Sequence, residues 1–173
     1  MKKITLYVLL LIAILLSPWI VYSGTLDDGT ITGQSVLRTD MDNIYILQVV
    51  YKAGAAGEFT ATTLDLPING YIMLAETIPS PFTDTTLSAI ATAKSWTEYS
   101  PTTNYDLTIT NTGDMDLFGT NLQNRSAINV EYARPLLSGT AGAIEAYSRV
   151  TLNMSGNSVA NSVQAIRLWL FRR

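Results

Sequence analysis

The chain has 173 residues, with 14 acidic and 11 basic side chains, and contains neither cysteine nor histidine. Without those two residue types it can form no disulfide, no thiolate or imidazole metal site, and no Ser-His-Asp or Cys-His catalytic group. A net charge of −3 with scattered Lys and Arg argues against nucleic-acid binding. The 47% hydrophobic and 14% charged content is typical of a β-rich globular protein rather than a disordered chain or a helical bundle.

The N-terminus has the features of an export signal. Two lysines follow Met1, and an apolar run extends from Ile4 to Leu16 before Ser17 and Pro18. A basic start and a hydrophobic centre are typical of a secretory leader, and cleavage before Gly24 is one outcome. The alternative is an uncleaved anchor, because the stretch from Ile4 to Tyr22 is just long enough to span a bilayer.

These features predict three parts. Residues 1–23 form a helical signal peptide or membrane anchor, residues 24–42 form an exposed lead-in, and residues 43–173 form the folded domain. In either case the basic N-terminus places the remainder outside the cytoplasm. The prediction is therefore a periplasmic, cell-surface or extracellular protein, tethered to the membrane if the leader is retained.

The first half of the chain predicts a series of strands separated by turns. A short strand is expected at about residues 31–37. Residues 43–51 are apolar on both faces, which predicts a central strand covered on both sides or an edge strand occupied by a partner. Residues 58–66 and 71–77 follow as strands, with an Asn-Gly turn at residues 67–70 between them.

Residues 78–103 are the least regular part. Pro79, Pro81 and Pro101 bound a segment in which Asp84 could cap a short helix from Leu87 to Lys94. The alternative is a long loop with Trp96 folded back onto a sheet. We favour the helix because alanine is common in this segment and glycine is absent.

A hairpin is predicted in the middle of the chain. Tyr105, Leu107 and Ile109 alternate with polar residues, which is typical of a half-buried strand. Residues 111–114 supply turn-forming side chains, and residues 116–119 can return as the second strand.

The C-terminal part predicts a strand at residues 128–132, a flexible loop at residues 139–142 and two further strands. The first of these strands, residues 149–154, should turn Val150, Leu152 and Met154 inward. The last, residues 164–171, should turn Ile166, Leu168 and Leu170 inward after a turn at residues 156–162. Seven or eight short strands with antiparallel-style turns predict an all-β fold, a single antiparallel β-sandwich of the jelly-roll or immunoglobulin-like type.

Asn111, Asp114 and Asp116 form a cluster of oxygen donors, the ligand type that a hard cation such as Ca²⁺ takes. Their spacing does not match the EF-hand loop. Ordinary hairpin-turn residues explain the cluster better, so we predict no metal site and no cofactor.

No carboxylate carries a local signature of catalysis. A glycoside hydrolase needs two acids about 5–10 Å apart in a cleft, and any chain this acidic offers some such pair. The Gly-x-Ser-x-Gly elbow, the Ser-x-x-Lys motif and the phosphate-binding glycine loop are all absent. We therefore predict that the protein is not an enzyme. The acids considered are Glu58, Glu76, Glu98, Glu131 and Glu145.

Trp96, Tyr99, Trp169 and Phe171 are weak candidates for a ligand-binding aromatic platform. On the last strand Trp169 and Phe171 alternate with inward residues, so both of its faces are apolar. This favours a strand buried between layers or in a subunit contact. The two-sided apolarity of residues 43–51 and 164–171 also motivates a hypothesis of self-association.

The stretch Pro101-Thr102-Thr103-Asn104-Tyr105-Asp106, the acidic hairpin to Gly119, and Asn124-Arg125-Ser126 resemble motifs of small tailed-phage and prophage proteins. The resemblance covers roughly residues 71–173. It implies a β-rich structural or virion-associated protein without a catalytic site. The positions that it implies to be fold-defining are Asn104, Tyr105, Asp106, Asp116, Gly119, Asn124 and Arg125.

Together these patterns predict a non-enzymatic structural or surface protein, exported or tethered by its N-terminus, that acts through protein contacts. The alternative is a secreted β-sandwich binding module for carbohydrate or another extracellular ligand. Protein partners or self-association are expected, and membrane contact is expected only through an uncleaved N-terminal segment.

Overall fold

The computed structural model describes residues 19–22, 31–38, 43–66, 68–137, 139–146 and 148–173. Most of the predicted signal or anchor segment and part of the predicted lead-in lie outside these residues. The last residues of the former, Trp19–Tyr22, form a strand rather than the end of a helix. Among the described residues, no helix is long and apolar enough to cross a membrane.

The described chain is mostly β-structure, and each of its strand pairings is antiparallel. It contains twelve strands rather than the seven or eight predicted, because several have only two or three residues. In chain order they are β1 (Trp19–Tyr22), β2 (Ile31–Arg38), β3 (Ile44–Lys52), β4 (Phe59–Asp65), β5 (Gly70–Pro79), β6 (Asp106–Thr110), β7 (Glu131–Ala133), β8 (Leu136–Leu137), β9 (Thr140–Ala141), β10 (Ile144–Ala146), β11 (Arg149–Ser155) and β12 (Val163–Arg172).

The strands form a large sheet, a small sheet and a short hairpin. The large sheet has the order β1-β2-β3-β12-β5-β10, and β7 also pairs with β5. The small sheet has the order β4-β11-β6, and β8 pairs with β9. Because β4 and β5 belong to different sheets, the Asn-Gly turn at residues 68–70 connects two sheets instead of closing a hairpin.

The last strand, β12, is the centre of the large sheet. Its register with β3 runs from Val163 opposite Lys52 to Phe171 opposite Ile44 without a shift. On its other side it pairs with β5 over nearly its full length, with one irregularity after Trp169. The predicted inward residues of β11 and β12 are buried, as expected from their alternation.

One apolar core is built from the inner faces of both sheets. The large sheet contributes residues such as Leu47, Val49 and Leu168, and the small sheet contributes Leu107 and Leu152. All of these side chains are buried. Contact between two apolar sheet faces removes both from water, which is the main source of stability in such an arrangement.

A second, smaller cluster lies on the outer face of the large sheet. The helix α1 (Thr85–Ala93) covers this part of the sheet with Leu87 and Ala91, which pack with Val163 and Ala165 of β12. The Asp84 side chain accepts a hydrogen bond from the N–H of Thr86 at 2.8 Å and so caps the helix. The predicted capped helix is confirmed, and Trp96 packs against the same cluster.

Three local predictions are wrong. Residues 116–119 do not return as a strand, because only a single bridge joins Thr110 to Asp116 before a 3₁₀ turn at Gly119–Leu122. Residues 139–142 are not a simple loop, since Thr140–Ala141 form half of the β8-β9 hairpin. The strand predicted at 128–132 is reduced to Glu131–Ala133, and its apolar residues face solvent.

Candidate functional site

The aromatic side chains considered as a ligand platform do not share one surface. The carbonyl of Tyr99 accepts a hydrogen bond from the N–H of Val163 at the start of β12, and the Tyr99 side chain is 55% exposed. Trp169 lies six residues further along β12, which is roughly 20 Å in an extended strand. Trp96 is half-buried in the α1 cluster. Trp96 and Tyr99 therefore lie near the start of β12, and Trp169 and Phe171 lie near its end.

The oxygen atoms of the acidic turn are used by the turn itself. Asn111 Oδ1 accepts hydrogen bonds from the N–H groups of Gly113 at 2.9 Å and Met115 at 3.0 Å. Asp116 Oδ1 accepts one from the N–H of Phe118 at 2.9 Å. These are the side chain to backbone bonds that Asn and Asp make in turns. In the described parts of the chain, no group of three or more His, Cys, Asp and Glu side chains could hold a metal ion.

Each of the five glutamates considered for catalysis makes a contact within the scaffold. Three accept hydrogen bonds from backbone N–H groups and the other two form ion pairs, while Glu131 makes both kinds of contact, since it also pairs with Arg125 at 3.6 Å. The contacts are Glu58 with Gly156 at 2.8 Å, Glu98 with Phe82 at 2.7 Å, Glu131 with Ser126 at 2.7 Å, Glu76 with Arg167 at 3.5 Å, and Glu145 with Arg173 at 2.6 Å.

The two halves of the phage-like motif meet in space. The N–H of Asn104 donates to the carbonyl of Arg125 at 2.9 Å, and the N–H of Arg125 donates to the carbonyl of Tyr105 at 2.7 Å. The N–H of Asn124 donates to Asp106 Oδ1 at 2.7 Å. We call these five residues the 104–125 junction. It joins the start of β6 to the segment that leads into β7.

Backbone conformation explains the two asparagines of this junction. Asn104 has φ of 68° and Asn124 has φ of 54°. Asparagine tolerates this left-handed region better than most side chains. Gly119, also part of the motif, has φ of +52°, and a Cβ there would lie 3.3 Å from Leu136 Cδ2. The motif residues thus hold turns.

The side chain of Tyr105 extends from this junction into the core, where it is fully buried. Burial raises the pKa of its hydroxyl. Arg125 opposes that rise in pKa, while the carboxylate of Glu131 reinforces it. Burial also raises the pKa of Tyr51 well above its usual value, and neighbouring Tyr105 adds to the effect. Both phenols are therefore neutral structural groups at physiological pH.

Sequence reasoning missed the polar cluster around Arg167. This side chain stands in the middle of β12 on the outer face, where its Nε donates to Gln48 Oε1 at 2.7 Å. Its guanidinium also lies 3.5 Å from Glu76 and pairs with the Asp84 carboxylate. An arginine in the interior of a mostly apolar strand was the available signal, since a buried charge needs partners.

Asp84 has two roles in this cluster. Partial burial by itself raises the pKa of its carboxyl. The N–H of Thr86, which donates to it, and the adjacent Arg167 guanidinium outweigh that effect, so the pKa is lowered. The carboxylate both caps α1 and ties the helix to the sheet. This cluster divides the outer face into two halves.

One half is the α1 cluster, and the other is apolar and aromatic. Trp169 and Phe171 share the outer face with Ile46 of β3 and with Leu74 and Tyr71 of β5, as the register shows. We call these five residues the aromatic half-face. Phe171 is 38% exposed, Ile46 is buried, and the other three are half-buried. Among the described residues, neither apolar cluster includes any of them.

A second exposed apolar feature lies at the edge of the large sheet. Ile128 is 82% exposed, Val130 44% and Tyr132 62%. Of the residues between and after them, Asn129 is exposed, Glu131 is half-buried, and Ala133 is buried opposite Ala75 of β5. We call these three side chains the exposed row. Its sequence pattern matches that of a half-buried strand, but the apolar side faces water.

The exposed row, the aromatic half-face and the 104–125 junction are the features from which a function can be argued. The first two are surfaces of apolar side chains, and the third connects two segments of the scaffold by hydrogen bonds. No family model, curated protein or solved structure matches the chain.

Proposed function

We propose that the protein is a non-enzymatic structural or surface protein of the virion-associated kind, exported or tethered by its N-terminus, that acts through protein contacts. Its scaffold is a two-sheet β-sandwich of the jelly-roll or immunoglobulin-like type. The shared apolar core between the large and small sheets supports this architecture. The use of all five candidate glutamates in scaffold contacts supports a structural role over a catalytic one.

The observation that carries the proposal is the exposed row. Three large apolar side chains at alternate positions are exposed at and just before β7, and Ile128 is 82% exposed. Single exposed apolar residues are common, but several large ones close together in one segment are typical of a protein interface. Tyrosine is favoured in such contacts because it buries a large area with few rotatable bonds.

Hydrogen bonds in the turn before β7 order the backbone that carries the exposed row. Ser126 Oγ accepts hydrogen bonds from the N–H of Ile128 at 3.2 Å and of Asn129 at 2.9 Å. The N–H of Ser126 donates to Glu131 Oε2 at 2.7 Å. A segment whose backbone is already ordered loses little conformational entropy on binding, and this favours association.

Site-specific photo-crosslinking tests the proposal. A benzophenone amino acid is placed at position 132 of the full chain, in cells that also make the products of the neighbouring genes. The control is the same probe at position 99, because Tyr99 is similarly exposed at 55% but lies by the start of β12. We expect discrete protein adducts from position 132 that are absent from position 99, and loss of these adducts with Ile128→Asp. Identical adducts at both positions, or none at position 132, would contradict the proposal.

A further inference from the structure

We propose that the aromatic half-face lies against the surface of a lipid bilayer, at the place where the N-terminal segment enters that bilayer. This inference rests on the N-terminal tether of the proposed function. It adds a second contact with the membrane, made by the folded sheet itself.

The first argument is the composition and exposure of this surface. Its side chains are Tyr71, Leu74, Trp169, Phe171 and the more deeply placed Ile46, and the ion pair of Glu145, opposite Tyr71, with Arg173 at 2.6 Å forms its border. Arg167 and its partners separate it from the half that α1 covers. Trp and Tyr beside aliphatic side chains are the residues that proteins place at the membrane–water boundary.

The second argument is where the chain enters the sheet. Trp19 of β1 pairs with Leu37 of β2, and Leu37 pairs with Ile46 of β3. Ile46 then pairs with Trp169, which pairs with Leu74. The first described residue of the chain therefore stands on the same row across the sheet as the aromatic half-face. Trp19 and Trp169 are three strand spacings apart, roughly 14 Å.

The third argument is the segment that leads to this row. Residues 4–16 are almost entirely apolar, and only Ser17 and Pro18 separate them from Trp19. If that segment is inserted in a bilayer, the row on which β1 begins is held near the lipid headgroups. An apolar face at that position loses contact with water by lying on the membrane.

The nature of the contact follows from the charges. The chain has a net charge of −3, so an anionic membrane does not attract the protein as a whole. Burial of apolar and aromatic side chains must therefore provide the favourable free energy of binding. It should form on uncharged phosphatidylcholine and be insensitive to salt, unlike an electrostatic contact.

The three tryptophans provide an experiment. The full chain is placed in phosphatidylcholine vesicles as two single-tryptophan variants: Trp19→Phe with Trp96→Phe retains Trp169, and Trp19→Phe with Trp169→Phe retains Trp96. Quenching of each by brominated phosphatidylcholine is then compared. Trp96 packs against the cluster that contains Ala165, and Ala165 lies four residues or roughly 13 Å along β12 from Trp169. Given that separation, we expect bromolipids to quench Trp169 at least about twofold more than Trp96.

A surface variant provides a second measurement. Phe171→Ser combined with Tyr71→Ser should reduce quenching of Trp169 while the protein still sediments with the vesicles. Tyr99→Ser is the control, because Tyr99 is exposed at the opposite end of β12, and it should leave the quenching unchanged.

The outcomes separate this inference from the tether. A full-length chain that does not remain with the vesicles would overturn both. A chain that remains with them but shows equal quenching of Trp96 and Trp169 would overturn the contact of the half-face and leave the tether intact. A blue shift of Trp169 that grows with protein concentration without lipid would assign this surface to a second copy of the chain, and would also overturn the inference.

Discussion

The guanidinium of Arg167 and the carboxylate of Asp84 form an ion pair that joins the centre of β12 to the first turn of α1, across 83 positions in the sequence. The same guanidinium lies 3.5 Å from Glu76, whose side chain is only 9% exposed. The helix, the central strand and β5 are thus held by one cation.

Arg167→Met should lower the free energy of unfolding by about 3 kcal/mol or more, because it leaves Glu76 buried without its counter-charge. Chemical unfolding followed by fluorescence measures the loss. Arg149→Met is the matched control, since the Arg149–Asp65 pair at 2.7 Å is exposed, with 62% and 71% of the side chains accessible. An exposed pair contributes about 0–1 kcal/mol. Equal losses in the two variants would contradict the assigned role of Arg167.

Asp84 should make stability depend on acid pH. Its pKa in the folded protein is lowered, so the unfolded chain takes up the proton first as the pH falls. The stabilisation is complete above the unfolded value of about 3.9 and is lost as the pH falls through the folded pKa. The difference in unfolding free energy between wild type and Asp84→Asn should therefore be largest near neutral pH and shrink in acid. A difference that does not change with pH would show that the charge of Asp84 does not stabilise the fold.

Tyr51 and Tyr105 should make stability depend on alkaline pH. Their pKa values are raised in the folded protein, chiefly by burial. Their contribution is complete below the unfolded value of about 10 and falls above it, by up to about 1.4 kcal/mol per pH unit for each phenol. Tyr51→Phe with Tyr105→Phe should raise the pH of alkaline unfolding. Tyr99→Phe, an exposed control, should not.

Asp106→Ala should destabilise the fold by about 1.5 kcal/mol, because the charged acceptor for the N–H of Asn124 at 2.7 Å is lost. Asp106→Asn retains an oxygen acceptor at the same place and should lose less. Thermal unfolding compares the two variants. If Asp106→Ala is as stable as wild type, the 104–125 junction does not depend on this bond.

Gly57→Ala should destabilise the fold by at least about 1–3 kcal/mol, which is the cost of the left-handed backbone strain before any clash is counted. Gly57 has φ of +87°, and a Cβ there would collide with the backbone of Asn157. Gly142→Ala is the control, because nothing lies within 4 Å of a Cβ at that position. It should be neutral or stabilising by up to about 1 kcal/mol, since alanine restricts the unfolded chain. Similar stability of the two variants would contradict this prediction.

Several features were predictable from the sequence because their causes are local. The alternation of Val150, Leu152 and Met154 indicated a strand with one buried face, and the structure buries all three. Asp84 before an alanine-rich segment indicated a helix cap, and the bond to Thr86 is present. In both cases residues a few positions apart determine the outcome.

Alternation does not specify which side of a strand the fold covers. Ile128, Val130 and Tyr132 have the pattern of an inward row, yet they are 82%, 44% and 62% exposed. Tyr132 lies opposite Glu76 of β5, and on the other face of the sheet Ala133 is buried and Glu131 is half-buried. The position of β7 beside β5 decides this, and that position depends on distant pairing.

For the part of the chain that the structure describes, the sequence by itself determined antiparallel β-structure and the capped helix α1, because periodicity and capping act within a few residues. Only the tertiary structure decided which charges meet and which apolar side chains remain at the surface. Arg167 reaches Gln48, Glu76 and Asp84 because strands far apart in sequence become neighbours in the sheet. The exposed row and the aromatic half-face likewise depend on which faces the two sheets and α1 cover.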